Sequence, residues 1–388
     1  MEPIVLSINP GSSSREFSIY RGNSLVFSAY FEREEDSFVI SYLPKKVTEK
    51  VSSRSFDQSL GYFLQKLSEA TRIKPSQIDT VGIRLVAPGK EFQKTRRVNE
   101  QFLEDLEKAA SRAPLHVPTE ITQIEQTMGL LPDAKIVAVS DSTFHRTMPT
   151  VARRYAIPYQ DISSGFNRFG YHGISIQSVV RTLKDEKKLD YKNIIVCHLG
   201  SGSSITAIKS WKSVETSMGF SPLEGLVMAT RSGNIDIEAA LEIKRARQLD
   251  DSQLVEFLNK QSGLLGVSGV SSDIRELLKV EASNKNAQLA LQMMVYRIRF
   301  YLGAYFAILG GIDALVFTAT VGERSAPIRQ RVCENLTHLG IEIDQKVNLK
   351  TDTKFKKIST TTSSVDILVV PTDEPKEMAI QAFELVTK

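Results

Sequence analysis

Apolar residues recur along the chain at two spacings, and the switches between them mark out its elements. Ile4-Val5-Leu6-Ser7-Ile8 is a short, nearly unbroken apolar run, as expected of a strand covered on both faces. The polar turn Asn9-Pro10-Gly11-Ser12-Ser13-Ser14 leads to a returning strand, Phe17-Ser18-Ile19-Tyr20, and Arg21-Gly22-Asn23 turns the chain again into Leu25-Val26-Phe27. The same arrangement returns in mid-chain, where Ile194-Ile195-Val196-Cys197-His198-Leu199 leads through Gly200-Ser201-Gly202-Ser203-Ser204 into Ile205-Thr206-Ala207-Ile208. Two strand, turn, strand units about 190 residues apart predict a duplicated domain rather than a stack of short repeats.

Helical spacing fills much of the remainder. Leu60, Phe63, Leu64 and Leu67 predict a helix over residues 56–70, and Phe102, Leu103 and Leu106 another over 99–110. Residues 80–86 and 134–139 read as strands, while 289–309 reads as one long, mostly apolar helix ahead of the strand Ala314-Leu315-Val316-Phe317. Strands alternating with helices, with a hairpin opening each half, predict an α/β protein with a mixed sheet in each half. Pro149 and Pro158 interrupt regular structure and place the boundary near Met148-Pro149-Thr150, giving domains 1–148 and 149–370. No low-complexity linker separates the halves, so they are expected to share a cleft.

Composition narrows the function classes. A chain of 388 residues with 41% hydrophobic residues is globular rather than fibrous or disordered. Its 49 Lys+Arg and 45 Asp+Glu leave a net charge of only +4, with the signs interspersed, so neither nucleic acid nor an anionic membrane is an expected partner. The longest uncharged apolar stretch, residues 300–312, falls short of the roughly 18 residues a membrane span needs. Glu2 beside Met1, with no basic-then-apolar opening, predicts no secretory leader and a cytoplasmic location. Cys197 and Cys333, far apart and in apolar surroundings, are expected to be buried thiols.

The candidate chemistry lies at the turns. A Gly/Ser turn after a buried strand can aim backbone N–H groups and hydroxyls at phosphate. An ordinary hairpin is the alternative for either turn alone, and neither fits the P-loop or dinucleotide fingerprint. His116, His145, His172 and His198 each stand near a predicted strand end or turn, whereas His338 lies in a helical stretch. Without an H-x-x-x-H spacing or a supporting Cys pair, these histidines suit donation to a phosphoryl oxygen better than zinc. Asp141 follows the strand ending at Val139, at the carboxyl edge where α/β sheets meet ligands. Arg231, in Met228-Ala229-Thr230-Arg231-Ser232-Gly233, has small neighbours and a planar fork of donors suited to carboxylate or phosphate.

Several segments together resemble acetate kinases: Asn9-Pro10-Gly11-Ser12-Ser13-Ser14, Ala113-Pro114-Leu115-His116, Asp141-Ser142-Thr143-Phe144-His145, Gly170-Tyr171-His172-Gly173, Cys197-His198-Leu199-Gly200, Thr216-Ser217-Met218-Gly219-Phe220-Ser221-Pro222-Leu223-Glu224-Gly225, Thr230-Arg231-Ser232-Gly233, Ser262-Gly263-Leu264-Leu265-Gly266 and Pro371-Thr372-Asp373-Glu374. The resemblance runs through the chain in order. It implies two duplicated actin-like (ribonuclease H-like) domains with mixed sheets flanked by helices, an interdomain active-site cleft, residues 371–388 returning to the first domain, and a homodimer. It also implies reversible, magnesium-dependent transfer of the ATP γ-phosphoryl group to acetate or propionate, giving ADP and an acyl phosphate, with manganese as a substitute metal.

Carried over position by position, the resemblance assigns Arg84, Asp141, His172 and Arg231 to the catalytic core and Asn9 and Glu374 to the metal. It assigns Val86, Leu115, Tyr171 and Pro222, with Arg84, to the acceptor pocket, and His116 to the neighbourhood of the phosphates. The nucleotide falls to Ser12 and Ser14, to His198, Leu199, Gly200, Ser201 and Gly202, to Asp273, Ile274 and Arg275, and to Ala319, Thr320, Val321, Gly322 and Glu323. An ionised acceptor carboxylate needs no general base, so Asp141 is expected to orient other groups rather than take a proton.

The departures from that family cluster on the nucleotide side. Glu16 stands where Lys is usual, with Arg15 expected on the opposite face of the strand. Ala87-Pro88-Gly89 replaces His-Gly-Gly, Ser201 replaces Asn, Ala319-Thr320 replaces Gly-Gly, and Arg324 stands at an Asn position, where it is a candidate substitute for the missing Lys. Ile174 and Ile176 replace polar residues, and Tyr171 replaces Phe. Two alternatives therefore stay open: a carboxylate kinase of the same fold using pyrophosphate or another donor, and a catalytically weak regulatory paralogue that binds nucleotide or acyl phosphate.

Overall fold

The computed structural model describes residues 2–11, 14–34, 37–44, 47–52, 58–113, 117–163, 165–350 and 354–387, without side chains for 33–34, 37–38, 51–52 and 162–163. The chain forms two compact units, Met1–Thr143 with Asp373–Lys388, and Phe144–Thr372. The divide falls ahead of Pro149 because Phe144, in the short 3-10 helix Thr143–Thr147, packs with Ile176, Val179 and Val196 in the core of the second unit.

The first unit is built on an eight-stranded sheet. Its strands are β1 (Ile4–Pro10), β2 (Ser14–Arg21), β3 (Ser24–Glu34), β4 (Ser37–Leu43), β5 (Val47–Ser52), β6 (Thr80–Leu85), β7 (Arg96–Arg97) and β8 (Lys135–Ser140), in the order β5-β4-β3-β2-β1-β6-β8-β7. β1 and β2 form the antiparallel hairpin that the apolar runs predicted, whereas β1, β6 and β8 run parallel and end on the same edge. The helix Ser59–Thr71 buries Leu60, Phe63, Leu64 and Leu67 on one face of the sheet, against Phe17, Phe27 and Phe31. The predicted start at residue 56 lies outside the described residues. Helix Glu100–Ala109 is capped by the Asn99 side chain, which accepts from the Phe102 N–H, and it buries Phe102 and Leu106 in the same core.

The opposite face of this sheet is covered by the C-terminal helix Glu374–Thr387, which packs over β1, β6 and β8. Gly82, midway along β6, makes that approach possible. A Cβ there would lie 3.0 Å from the Ala382 Cβ and 3.1 Å from the Met378 carbonyl oxygen.

The second unit repeats the plan with six strands: β9 (Asn193–Leu199), β10 (Ser203–Lys209), β11 (Lys212–Thr216), β12 (Ala314–Thr318), β13 (Lys356–Lys357) and β14 (Asp366–Val369), in the order β11-β10-β9-β12-β14-β13. A hairpin, β9–β10, again precedes two strands parallel to the first, β12 and β14. This is the duplicated actin-like architecture. The long helix extends over Lys285–Leu309, four residues longer at its start than its apolar spacing predicts, because the Asn284 side chain caps it by accepting from the Asn286 and Ala287 N–H groups. Its buried stripe, from Ala287 through Met294 and Ile298 to Leu309, joins the core beneath β9 and β10. Cys197 and Cys333 are both buried, and burial pushes both thiols up, which leaves them poor nucleophiles. No helix among the described residues is long and apolar enough to cross a membrane.

Gly82→Val is expected to force the C-terminal helix away from β6 and to lower stability by about 1–3 kcal/mol, the usual cost of overpacking. Denaturant unfolding of the variant checks this, and an unchanged midpoint would show that the close approach is not a constraint.

Candidate functional site

In the first unit, one arginine gathers the predicted residues. Arg84 projects from the carboxyl end of β6, and its Nη2 donates to Asp141 Oδ2 at 2.9 Å, just beyond the end of β8. Its Nη1 lies 3.4 Å from Asn9 Oδ1, near the end of β1, and 3.4 Å from Glu374 Oε2 in the first turn of the C-terminal helix. Asp141 is only 1% exposed, and its own N–H donates to the Leu85 carbonyl, which fixes the carboxylate against the strand carrying Arg84. Burial disfavours the charge on Arg84, but Asp141 and then Glu374 overcome this and hold the guanidinium more firmly protonated than usual. Burial raises Glu374, Arg84 opposes that rise and Asp141 adds to it.

Glu16 belongs to the same cluster. The hairpin register sets it directly across from Asn9. Burial first, then the charges of Glu374 and Asp373, push its carboxyl up to about 7, against the pull of Arg84. Arg15 turns to the other side, where its Nη1 donates to Ser59 Oγ at 3.0 Å. Asn9 and Glu374 present hard oxygens, while no group of three or more His, Cys, Asp or Glu side chains forms a metal cage among the described residues. Two protein oxygens suit a magnesium ion, which keeps several waters and takes further ligands from phosphate.

In the second unit, the β9–β10 turn is the focus. The backbone at His172 is left-handed, with φ of 62°, as the chain enters the helix Gly173–Arg181. The His172 ring stacks on His198 with centroids 4.0 Å apart, and each Nδ1 meets a serine: Ser204 Oγ at 3.0 Å for His172, Ser175 Oγ at 2.8 Å for His198. A Cβ on Gly202 would lie 3.1 Å from His172 Nε2 and 3.3 Å from Arg231 Nη1, so the bare glycine lets a histidine and an arginine converge over the turn. Arg231 Nη1 also donates to the Pro222 carbonyl at 3.3 Å. Such a turn, with backbone N–H groups, two histidines and an arginine, is chemically an anion receptor.

The remaining predicted residues are distributed as follows. Val86 begins the loop after β6, and Ser14 opens β2 beside the first turn. Tyr171 is buried and its hydroxyl donates to the Phe220 carbonyl at 2.6 Å. Leu199 is buried at the end of β9, with Gly200, Ser201 and Gly202 following it in the turn. Asp273 caps the helix Ile274–Val280 and pairs with the largely exposed Arg275 at 2.5 Å, while Ile274 is buried. Ala319, Thr320, Val321, Gly322 and Glu323 form the short helix Ala319–Arg324 directly after β12. Two of its carbonyls, of Gly322 and Glu323, accept from the buried Arg329, and Glu323 Oε1 accepts from the Thr372 N–H. Arg324 is exposed in the second unit. Ser12, Leu115 and His116 lie outside the described residues.

Two findings differ from what the sequence suggested. His145 is not an open donor: its ring nitrogens meet Ser213 Oγ at 3.0 Å and the Tyr171 carbonyl at 2.9 Å, and it is fully buried. Glu120, which the sequence did not single out, is buried beside Arg84 and accepts from the Val86 N–H at 2.7 Å. A Glu in the first turn of a helix looks like an ordinary dipole partner in sequence, so only its burial reveals it.

One unit that anchors an arginine among carboxylates and another that aims histidines and an arginine at a glycine turn define a phosphotransferase of the actin-like fold class. The acetokinase family model matches residues 4–381, and the chain belongs to that family. It is 38% identical to the acetate kinase of Dictyoglomus thermophilum, covering 99% of each chain. Among solved structures, it superposes on Porphyromonas gingivalis acetate kinase with a TM-score of 0.87 at 34% identity, covering 99% of this chain and 100% of that one. A propionate kinase from Francisella tularensis gives a TM-score of 0.90 at 32% identity, covering 98% and 99%.

Two outcomes follow from the local energetics. Because the Glu16 carboxyl sits near 7 in the folded protein and at 4.5 otherwise, the folded state holds the extra proton between those values, and stability falls as pH rises through that window. Glu16→Gln should therefore stabilise the protein by roughly 1–3 kcal/mol more at pH 8 than at pH 5, measured by urea unfolding with chelator present. An equal effect at both pH values would place Glu16 in a solvated environment. Ala319 adopts a left-handed φ of 63°, which an L side chain tolerates poorly. Ala319→Gly should recover about 1 kcal/mol in the same assay, unless the backbone there is unstrained.

Proposed function

We propose that the protein transfers the γ-phosphoryl group of ATP to acetate, with propionate as a second acceptor, giving ADP and an acyl phosphate reversibly. The observation that carries this proposal is the Arg84 cluster, in which a guanidinium at three strand ends is aimed by Asp141 and flanked by Asn9 and Glu374. A short carboxylic acid, with a pKa of about 4 to 5, is already the nucleophile at pH 7. Its main barrier is the approach of two anions. Arg84 orients the acceptor carboxylate, Asp141 holds Arg84 without taking a proton, and Arg231 spreads the charge that develops on the phosphoryl oxygens. His172, its Nδ1 engaged by Ser204, presents Nε2 to the same oxygens. On this reading Val86 and Leu115 of the first unit, and Tyr171 and Pro222 of the second, are the acceptor-side residues.

Ser12, Ser14, His198 and the Gly200-Ser201-Gly202 turn take the phosphates, with Asp273, Ile274, Arg275 and residues 319–323 on the nucleoside side. Asn9 and Glu374 would hold a magnesium ion, or manganese in its place, which supplies neutralisation of phosphate charge. The family match supports ATP as donor, and the proposed location is the cytoplasm. The exposed Leu289, Tyr296 and Phe300 on the long helix support assembly as a homodimer.

Purified protein incubated with magnesium, acetate and ATP should form acyl phosphate, trapped as its hydroxamate. Product with pyrophosphate but not ATP would overturn the choice of donor, and no product with any donor would overturn the reaction. Arg231→Ala should lower turnover by roughly 10³-fold or more, whereas a loss below about tenfold would remove Arg231 from the transfer step.

A further inference from the structure

Glu120 sits in the first turn of the helix Val117–Leu130 and is only 3% exposed. Its Oε1 accepts from the Val86 N–H at 2.7 Å, two residues beyond Arg84. Its Oε2 is buried and has no hydrogen-bond partner among the described residues, and the same is true of Arg84 Nε. The helix packs on β1, β6 and β8 and against the helices Ser59–Thr71 and Glu100–Ala109. The charged groups from these elements that act on Glu120 are Arg84 from β6 and Asp141 from beyond β8.

The guanidinium of Arg84 already faces two carboxylates, Asp141 and Glu374. A third negative charge beside it would cancel the attraction that an anionic acceptor needs. An ionised carboxyl with one oxygen buried and unpartnered is also costly, and the protonated form costs much less. We propose that Glu120 is a positioning residue for the acceptor carboxylate: as a neutral carboxyl group it pins the Val86 amide with one oxygen and leaves the charge of Arg84 to the acceptor. Burial pushes this carboxyl up to about 8, with Asp141 adding to the rise and the Val86 N–H and Arg84 opposing it. A helix-terminal acid serving only the dipole would be ionised at neutral pH, so the two roles separate by charge.

The inference rests on the carboxylate acceptor proposed above, and its test distinguishes the two. The KM for acetate is measured at saturating ATP from about pH 6 to about pH 9, a range in which acetate itself stays ionised. In the unaltered enzyme KM should rise about fivefold or more above about pH 8, as Glu120 gains its charge. Glu120→Gln, which keeps the amide contact and cannot ionise, should abolish that rise. Glu120→Ala should raise KM about tenfold at pH 7, with kcat changed less. A Gln variant that keeps the alkaline rise, or that matches the Ala variant at pH 7, would overturn the proposal. Infrared difference spectroscopy gives a readout free of activity: a protonated carboxyl band at about pH 6.5 should vanish in Glu120→Gln. Absence of that band would overturn the neutral carboxyl even if acetate proved not to be the acceptor.

Discussion

The contact between Arg84 and Asp141 is the constraint on which the first unit is organised. It ties the ends of two parallel strands, and through the same guanidinium it reaches Asn9 on a third strand and Glu374 on the C-terminal helix. A buried cation of this kind is stable only while its partners stay in place, since removing one leaves an uncompensated charge in the interior. Four separate stretches of chain are therefore held to one geometry by a single side chain. The proposed role and the folding requirement coincide there: the group proposed to orient an anionic acceptor is also the group that the carboxylates position.

The second unit uses the same topology for a different electrostatic purpose. Its β9–β10 hairpin corresponds to β1–β2, yet the first hairpin sets Asn9 against Glu16, whereas the second brings His172 and Arg231 over Gly202. Duplication thus supplied two equivalent turns, one flanked by carboxylates and one by an arginine and a histidine. That asymmetry suits the phosphoryl transfer proposed above.

The hairpins were legible in the sequence because central strands buried on both faces leave dense apolar runs, and the polar turns between them stand out. The candidate catalytic residues were proposed because their motifs resemble a family, not because spacing alone fixed their roles. Other features left little trace. His145 looked like an open donor, since nothing local reveals that Ser213, distant in sequence, takes one of its ring nitrogens. Glu16 could be recognised as a departure, but its raised affinity for a proton comes first from burial and then from Glu374 and Asp373, which arrive from the far end of the chain. The left-handed backbone at Ala319 is equally invisible in a residue type that rarely adopts it.

The first unit is discontinuous, whereas the second is a single stretch of chain, residues 144–372. During synthesis the second unit can close on its own core before the helix Glu374–Thr387 is made. The first cannot, because Val5 and Tyr20 keep an uncovered apolar face, and Arg84 lacks one of its carboxylates, until the helix Glu374–Thr387 has been made. That helix, made after the whole of the second unit, thus completes the first, and a chain arrested short of it would display an open sheet face to whatever quality-control machinery recognises exposed apolar surface.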